Sequence, residues 1–173
     1  MLINLVPLTL LITAVLASGD AIAAAMGKIA NSTMALNKTV GTFPSGVLAA
    51  VSDALPLLSD SATLLADINS GTQIAKASAN LTIPEAFQIA SATSSLATTV
   101  QQTLATVENA KKKFDSLVFI SPVILLNLKM EKDATDKFSA AVVSKVPDAL
   151  QGTAKSLIAP IDTAFDSAIS FYT

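Results

Sequence analysis

The sequence predicts an all-α protein, an antiparallel up-and-down bundle of about five helices. Three observations carry that expectation. Apolar residues recur in alternating steps of three and four, which places them along one face of an α-helix. Turns bearing proline and glycine divide the chain into segments long enough for helices of several turns. No segment alternates apolar and polar residues as a half-buried strand would. Short connections between long amphipathic helices favour antiparallel neighbours.

The N-terminus reads as an address. Met1 to Ala17 carries no charged side chain, and the apolar run Leu5 to Leu16 closes on the small residues Ala17, Ser18 and Gly19. That is the form of a secretory signal cleaved near Gly19, although no Lys or Arg precedes the run. The competing reading is a first helix with Pro7 in its opening turn. The expectation is a signal peptide over 1–19 and one helical domain over 20–173.

The first helix of that domain is predicted from an Asp20 N-cap to about Thr42. Its inward seam is Ile22, Met26, Ile29, Thr33, Leu36, Val40 and Phe43, and the turn Phe43-Pro44-Ser45-Gly46 ends it. The second runs from Val47 to Ala77 with Leu48, Val51, Leu55, Leu58, Ala62 and Leu65 inward. Pro56 predicts a kink or a division there, and Asn69-Ser70-Gly71 a second weak point. The third is capped by Thr82, opens on Pro84 and Glu85, and continues to about Phe114. It turns Phe87, Ala90, Ser94, Ala97, Val100, Leu104, Val107 and Phe114 inward, with Lys111 to Lys113 at the negative end of its dipole. The fourth opens on Ser121-Pro122, buries Val123, Leu126, Met130, Ala134, Phe138, Ala141 and Val142, and ends by Pro147. The fifth is capped by Asp148, with the seam Leu150, Ala154, Leu157, Ile158, Ile161, Phe165, Ala168, Ile169 and Tyr172, bent at Pro160.

Composition excludes more functions than it suggests. The chain has no His, Cys or Trp, and all 11 basic residues are lysine. Nucleophilic catalysis of the Ser/His/Asp or Cys/His kind needs an imidazole or a thiol. Zinc and haem sites lose their usual ligands, and six glycines form no phosphate loop. No enzyme activity, metal or cofactor is expected. Asp133 and Asp136 look like an acid pair, but Lys129, Lys132 and Lys137 lie within helical reach and make them a solvated ion-paired face. A net charge of −2 offers no basic stripe, so nucleic acid is not a partner. Mean hydropathy of +0.59 is high. Yet beyond the N-terminus no apolar run reaches the roughly 18 residues of a membrane span, so the domain is not membrane-spanning. The sequons at Asn31, Asn37 and Asn80 agree with secretion, and Asn80, in a predicted loop, is the favoured glycan acceptor.

The interior is therefore where function is sought. The candidate lining is Met26, Ile29, Thr33 and Leu36 on the first helix, and Phe87, Ser94, Leu104 and Phe114 on the third. Leu126, Met130 and Phe138 come from the fourth, and Leu157, Ile161 and Phe165 from the fifth. Such a stripe packs a core, and between helices it can also line an apolar pocket. Thr33 and Ser94 interrupt apolar seams, where a hydroxyl can meet an acyl carboxylate or bond back to the carbonyl one turn earlier.

The stretch from Lys111 to Tyr172 resembles the fungal hydrophobic surface-binding protein family, also called cell-wall galactomannoproteins. It carries the family's Lys-x-x-Phe at Lys111 and Phe114, a Leu-rich helix, the Lys-Val-Pro turn at Lys145 to Pro147 and an amphipathic final helix. The earlier chain is similar in layout. The resemblance implies a secreted or wall-associated helical domain that encloses fatty acids between helices or adsorbs to hydrophobic surfaces. The function expected is binding of a fatty-acid-like ligand within the bundle, the alternative being a structural protein that coats hydrophobic surfaces or the cell wall.

Overall fold

The computed structural model describes residues 18–44, 51–117 and 119–173, and of 51–53 the backbone alone. The expected signal segment up to Ala17, the turn residues Ser45 and Gly46, the start at Val47 and the inward side chains of Leu48 and Val51 lie outside the described residues. Five helices follow in order: α1 (Ser18–Gly41), α2 (Val51–Ala77), α3 (Ile83–Asp115), α4 (Ile120–Val143) and α5 (Asp148–Tyr172). No strand occurs among the described residues.

Cross-helix bonds give the directions. Gly19 N–H donates to Glu85 at one end of α1 and α3, and Lys113 donates to the Phe43 carbonyl at the other, so these two helices run parallel. Ser61 bonds Glu131 and Lys145 bonds the Lys76 carbonyl, which makes α2 and α4 parallel. Thr39 with Asp60, and Lys28 with Asp67, set α2 antiparallel to α1. Direction thus alternates along the chain. The neighbours form a closed ring in the order α1, α2, α4, α5, α3, with little direct contact between α3 and α4 across the middle. Consecutive helices α2 and α3 are not neighbours. The ring closes at its C-terminal end where the Tyr172 hydroxyl donates to the Val107 carbonyl at 2.7 Å.

Local signals explain most of the ends. Thr82 forms a full capping box: its hydroxyl accepts from Glu85 N–H, and the Glu85 carboxylate accepts from Thr82 N–H at 2.8 Å. Glu85 also takes the Gly19 amide, and these bonds, Thr82's hydroxyl first, hold its carboxyl down to about 2. Three expected caps differ. Asp20 lies inside α1, which begins at Ser18, and accepts from Gln88 instead. Ser121 lies inside α4 and donates to Asp115, while Phe119 occupies the cap position without a side-chain bond. Asp148 is the first residue of α5 behind Pro147 and accepts from Gln151. In each case a tertiary or nearby partner takes the polar side chain that a free helix end would have used. Nor is α2 divided: it runs through both Pro56 and Gly71.

The seam of α1 is buried as expected, from Ile22 to Phe43. That of α2 is one residue out of phase. Ala54, Leu57, Ser61, Leu64 and Ile68 are buried, while Leu55 is 61% exposed and Ala62 exposed. The doublets Leu57-Leu58 and Leu64-Leu65 allow either phase, and the polar bonds of Ser61 and Asp67 select this one. The first turns of α3 shift likewise to Ala86, Ile89, Thr93 and Leu96. In α4 the predicted chain 126-130-134-138 advances only by fours. Each step of four over-rotates by about 40°, so Leu126 ends about 120° from Phe138. Ile124, Leu128 and Glu131 face inward in its place.

Candidate functional site: an apolar interior with one carboxyl

All five helices contribute to a narrow cavity of about 40 Å³ on the bundle axis. Its walls are Ile29, Thr33 and Leu36 from α1, and Leu64 and Ile68 from α2. α3 adds Leu96, Val100, Thr103, Leu104 and Val107, and α5 adds Ile161 and Phe165. α4 supplies Leu128, Glu131, Thr135 and Phe138. Gly71 lets α2 approach closely here: a Cβ on it would lie 3.1 Å from the Phe138 ring and 3.2 Å from the Ile29 Cδ1. A second groove of about 80 Å³ lies between the start of α3, the end of α4 and the start of α5, and is lined by Ala86, Phe87, Val142, Val146, Leu150 and Leu157 among others.

Two hydroxyls in the central wall are engaged locally. Thr33 donates to the Ile29 carbonyl at 2.7 Å and Thr103 to the Thr99 carbonyl at 2.9 Å, the back-bonding that helices tolerate. The interior polar group that stands out is Glu131, 4% exposed. The Ser61 hydroxyl donates to its Oε1 at 2.6 Å. Burial pushes this carboxyl up to about 7, against the opposing effect of the Ser61 bond. Asp67, by contrast, has Lys28 at 2.8 Å and the Ser32 hydroxyl. Burial works against its charged form, but those partners prevail and hold it below the usual carboxylate range.

The shift of Glu131 has a stability consequence with a definite sign. The folded chain keeps a proton that the unfolded chain gives up, so the contribution is complete below the ordinary glutamate value. It is lost as pH rises to about 7 and stays lost above. The span corresponds to about 3 kcal/mol. Denaturant unfolding of the wild type is expected to show stability falling between about pH 4.5 and about pH 7, with Glu131→Gln flattening that fall. An equal slope in the variant would assign the fall to other groups.

The candidate lining residues divide by position. Ile29, Thr33, Leu36, Leu104, Phe138, Ile161 and Phe165 meet around the central cavity. Phe87 and Leu157 instead line the second groove, Phe87 being 63% exposed at its mouth. Met26 and Phe114 are buried away from both cavities; Phe114 packs edge-on against Phe43 with ring centroids 4.9 Å apart. Ser94, Leu126 and Met130 face outward, and the Ser94 hydroxyl bonds the Ala90 carbonyl. The expected inward setting of these three is thereby corrected, through the phase errors in α3 and α4.

Sequence reasoning missed the whole contribution of α2 and also Glu131. The seam Leu57-Ser61-Leu64-Ile68 was available one residue from the chosen one. Glu131, set in Leu-Lys-Met-Glu-Lys-Asp, looks like a solvated face; its spacing from Leu128, Ala134 and Phe138 is the one inward signal within α4, and its partner Ser61 lies on another helix. The Asp133 and Asp136 carboxylates do pair with Lys137 and Lys132 as expected.

A ring of five amphipathic helices closed around a narrow, almost wholly apolar interior defines a helical-bundle protein. Residues 19–144 match the family described as hydrophobic surface binding protein A, and the chain belongs to that family. Cell wall mannoprotein 1 of Aspergillus flavus is 27% identical over 144 residues, which cover 83% of this chain. The chain spans about half, 50%, of the length of that curated relative. Among solved structures, AFMP4P in complex with palmitic acid superposes with a TM-score of 0.82 at 23% identity, covering 90% of this chain and 99% of that one. Ligand binding domain 1 of the Penicillium marneffei MP1 protein, complexed with arachidonic acids, gives a TM-score of 0.83 at 18% identity, with 90% and 99% covered. At these identities the likeness is one of fold. None of the described helices is long and apolar enough to cross a membrane.

Proposed function

We propose that this chain is a non-catalytic binding protein that holds a fatty-acid-like ligand between its helices. The observation that carries the reading is the axial cavity to which all five helices contribute apolar walls. The palmitic and arachidonic acids in the complexes of similarly folded proteins support it. Ligand pockets generally occupy roughly 300 Å³ or more. With about 40 Å³ open on the axis, an acyl chain enters by parting the helices. The sparse contact between α3 and α4 leaves the ring able to widen there. Native mass spectrometry of the purified protein mixed with palmitate tests the reading. A stoichiometric complex is expected, and persistent absence of bound or exchangeable lipid contradicts it.

We further propose secretion with the apolar N-terminal segment removed near Gly19, and association with the cell wall, the reading supported by the mannoprotein relative. Asn80 is exposed in the loop between α2 and α3, and Asn31 is exposed on α1, so both suit a glycan. Asn37 is half-buried, with its Oδ1 enclosed and lacking a hydrogen-bond partner among the described residues, and suits one less.

A second reading, adsorption to hydrophobic surfaces, is favoured by large apolar side chains on the outside: Phe87, Phe119, Leu126 and Met130 are each between 44% and 63% exposed. If the helices must open to adsorb, internal crosslinking should abolish it; adsorption that survives crosslinking assigns it to these outer side chains.

A further inference from the structure

Glu131 occupies a particular place. Beyond the central cavity, towards the end of the bundle where α1 finishes and α4 begins, lies a smaller cavity lined by Val40, Leu57, Ser61, Ile124 and Asn127. The two cavities share Leu36, Val107, Leu128 and Glu131, so they abut at the carboxyl. Ser61 is the hydrogen-bond donor to that carboxyl among the described residues. A buried carboxyl on an apolar cavity wall carries a large desolvation cost when ionised.

The charged groups on the surrounding helices are engaged elsewhere. On the α1–α2 seam Lys28 pairs with Asp67, and Asp60 accepts from Thr39. On the α3–α5 seam Glu108 accepts from Ser167. On the α4–α5 seam Lys132 lies between Asp136 and Asp166, with Asp162 close by, and Lys129 is exposed. None of these is a cause of the Glu131 shift, which is burial opposed by Ser61. An entering carboxylate therefore meets no cation at this point. It meets another carboxyl.

We propose that Glu131 is the polar anchor of the ligand head, sharing one proton with the carboxylate of a bound fatty acid. The inference rests on the fatty-acid reading above. In the bound pair the Ser61 hydroxyl donates to Oε1, and the Glu131 carboxyl donates its O–H to a ligand oxygen. Two carboxyls in contact cannot both ionise, so the pair holds one proton as a unit. Where both partners are ionised when free, that proton comes from solvent, and binding consumes it. Where Glu131 is already protonated, none is taken up.

Calorimetry of palmitate binding in two buffers of different ionisation enthalpy reads the proton count directly. At about pH 8 the wild type is expected to take up about one proton per ligand, falling towards zero at about pH 6. Its affinity should weaken by about tenfold per pH unit above about pH 7. Glu131→Gln should abolish both effects. Ser61→Ala, which removes the hydrogen bond favouring the ionised form, should move the onset to higher pH. Cetyl alcohol, which has no acidic head, should bind the wild type without the pH-dependent uptake of a proton shared with a second carboxyl. Palmitate binding whose proton uptake is absent, or is unchanged in Glu131→Gln, overturns the anchor and leaves the fatty-acid reading standing. Failure of both palmitate and cetyl alcohol to bind overturns that reading and the anchor with it.

Discussion

Replacing octanoate by palmitate is expected to tighten binding by roughly five orders of magnitude, because each of the added buried methylenes contributes about 0.8 kcal/mol. The interior is open by only about 40 Å³, so every ligand must bear the cost of separating the helices. That cost is set mainly by the opening itself and is shared along the series, so it lowers all affinities while leaving the slope with chain length. Short acids should therefore bind weakly or not at all, and long ones well. Titration of a displaceable fluorescent fatty acid by saturated acids of increasing length measures the slope. A flat series would mean that the chain lies outside the bundle or that only its head is held.

Phe114→Ala is expected to destabilise the fold by about 3–5 kcal/mol. Phe114 is 0% exposed at the C-terminal turn of α3 and packs edge-on against Phe43 at the end of α1. The site joins the parallel pair α1 and α3 at the end where Lys113 also caps the Phe43 carbonyl, so the structure has little freedom to collapse into the space left. At about 2–4 °C per kcal/mol for a chain of this size, the midpoint of thermal unfolding should fall by about 10 °C. Because Phe114 touches neither cavity, palmitate affinity below the transition should change little. A midpoint shift below about 2 °C would show that this end is loosely packed.

Helix number, alternation of direction and most boundaries were legible because they depend on local features: apolar periodicity, proline, and the Thr82–Glu85 box. The phase of each buried face was harder. It was readable in α1, where the seam steps alternate between three and four and drift by only about 20° per seven residues. It was misread in α4, where steps of four drift around the helix, and in α2, where paired leucines serve two faces equally. In both helices a polar side chain resolves the phase, Ser61 and Glu131, and each is inward because the other is its partner. That contact spans 70 residues of sequence, so neither helix contains the information alone. The same reasoning accounts for the outward Leu126 and Met130, which read as core by composition and became surface by rotation.

The central claim is that the acyl chain lies on the bundle axis, among side chains contributed by all five helices. Isotope-edited nuclear Overhauser measurements on the protein bound to palmitate test it most directly. The account predicts contacts from chain methylenes to Leu36, Leu64, Val100, Leu128 and Phe165, one residue from each helix. Contacts confined to Phe119, Leu126 and Met130 on the outer surface would contradict it.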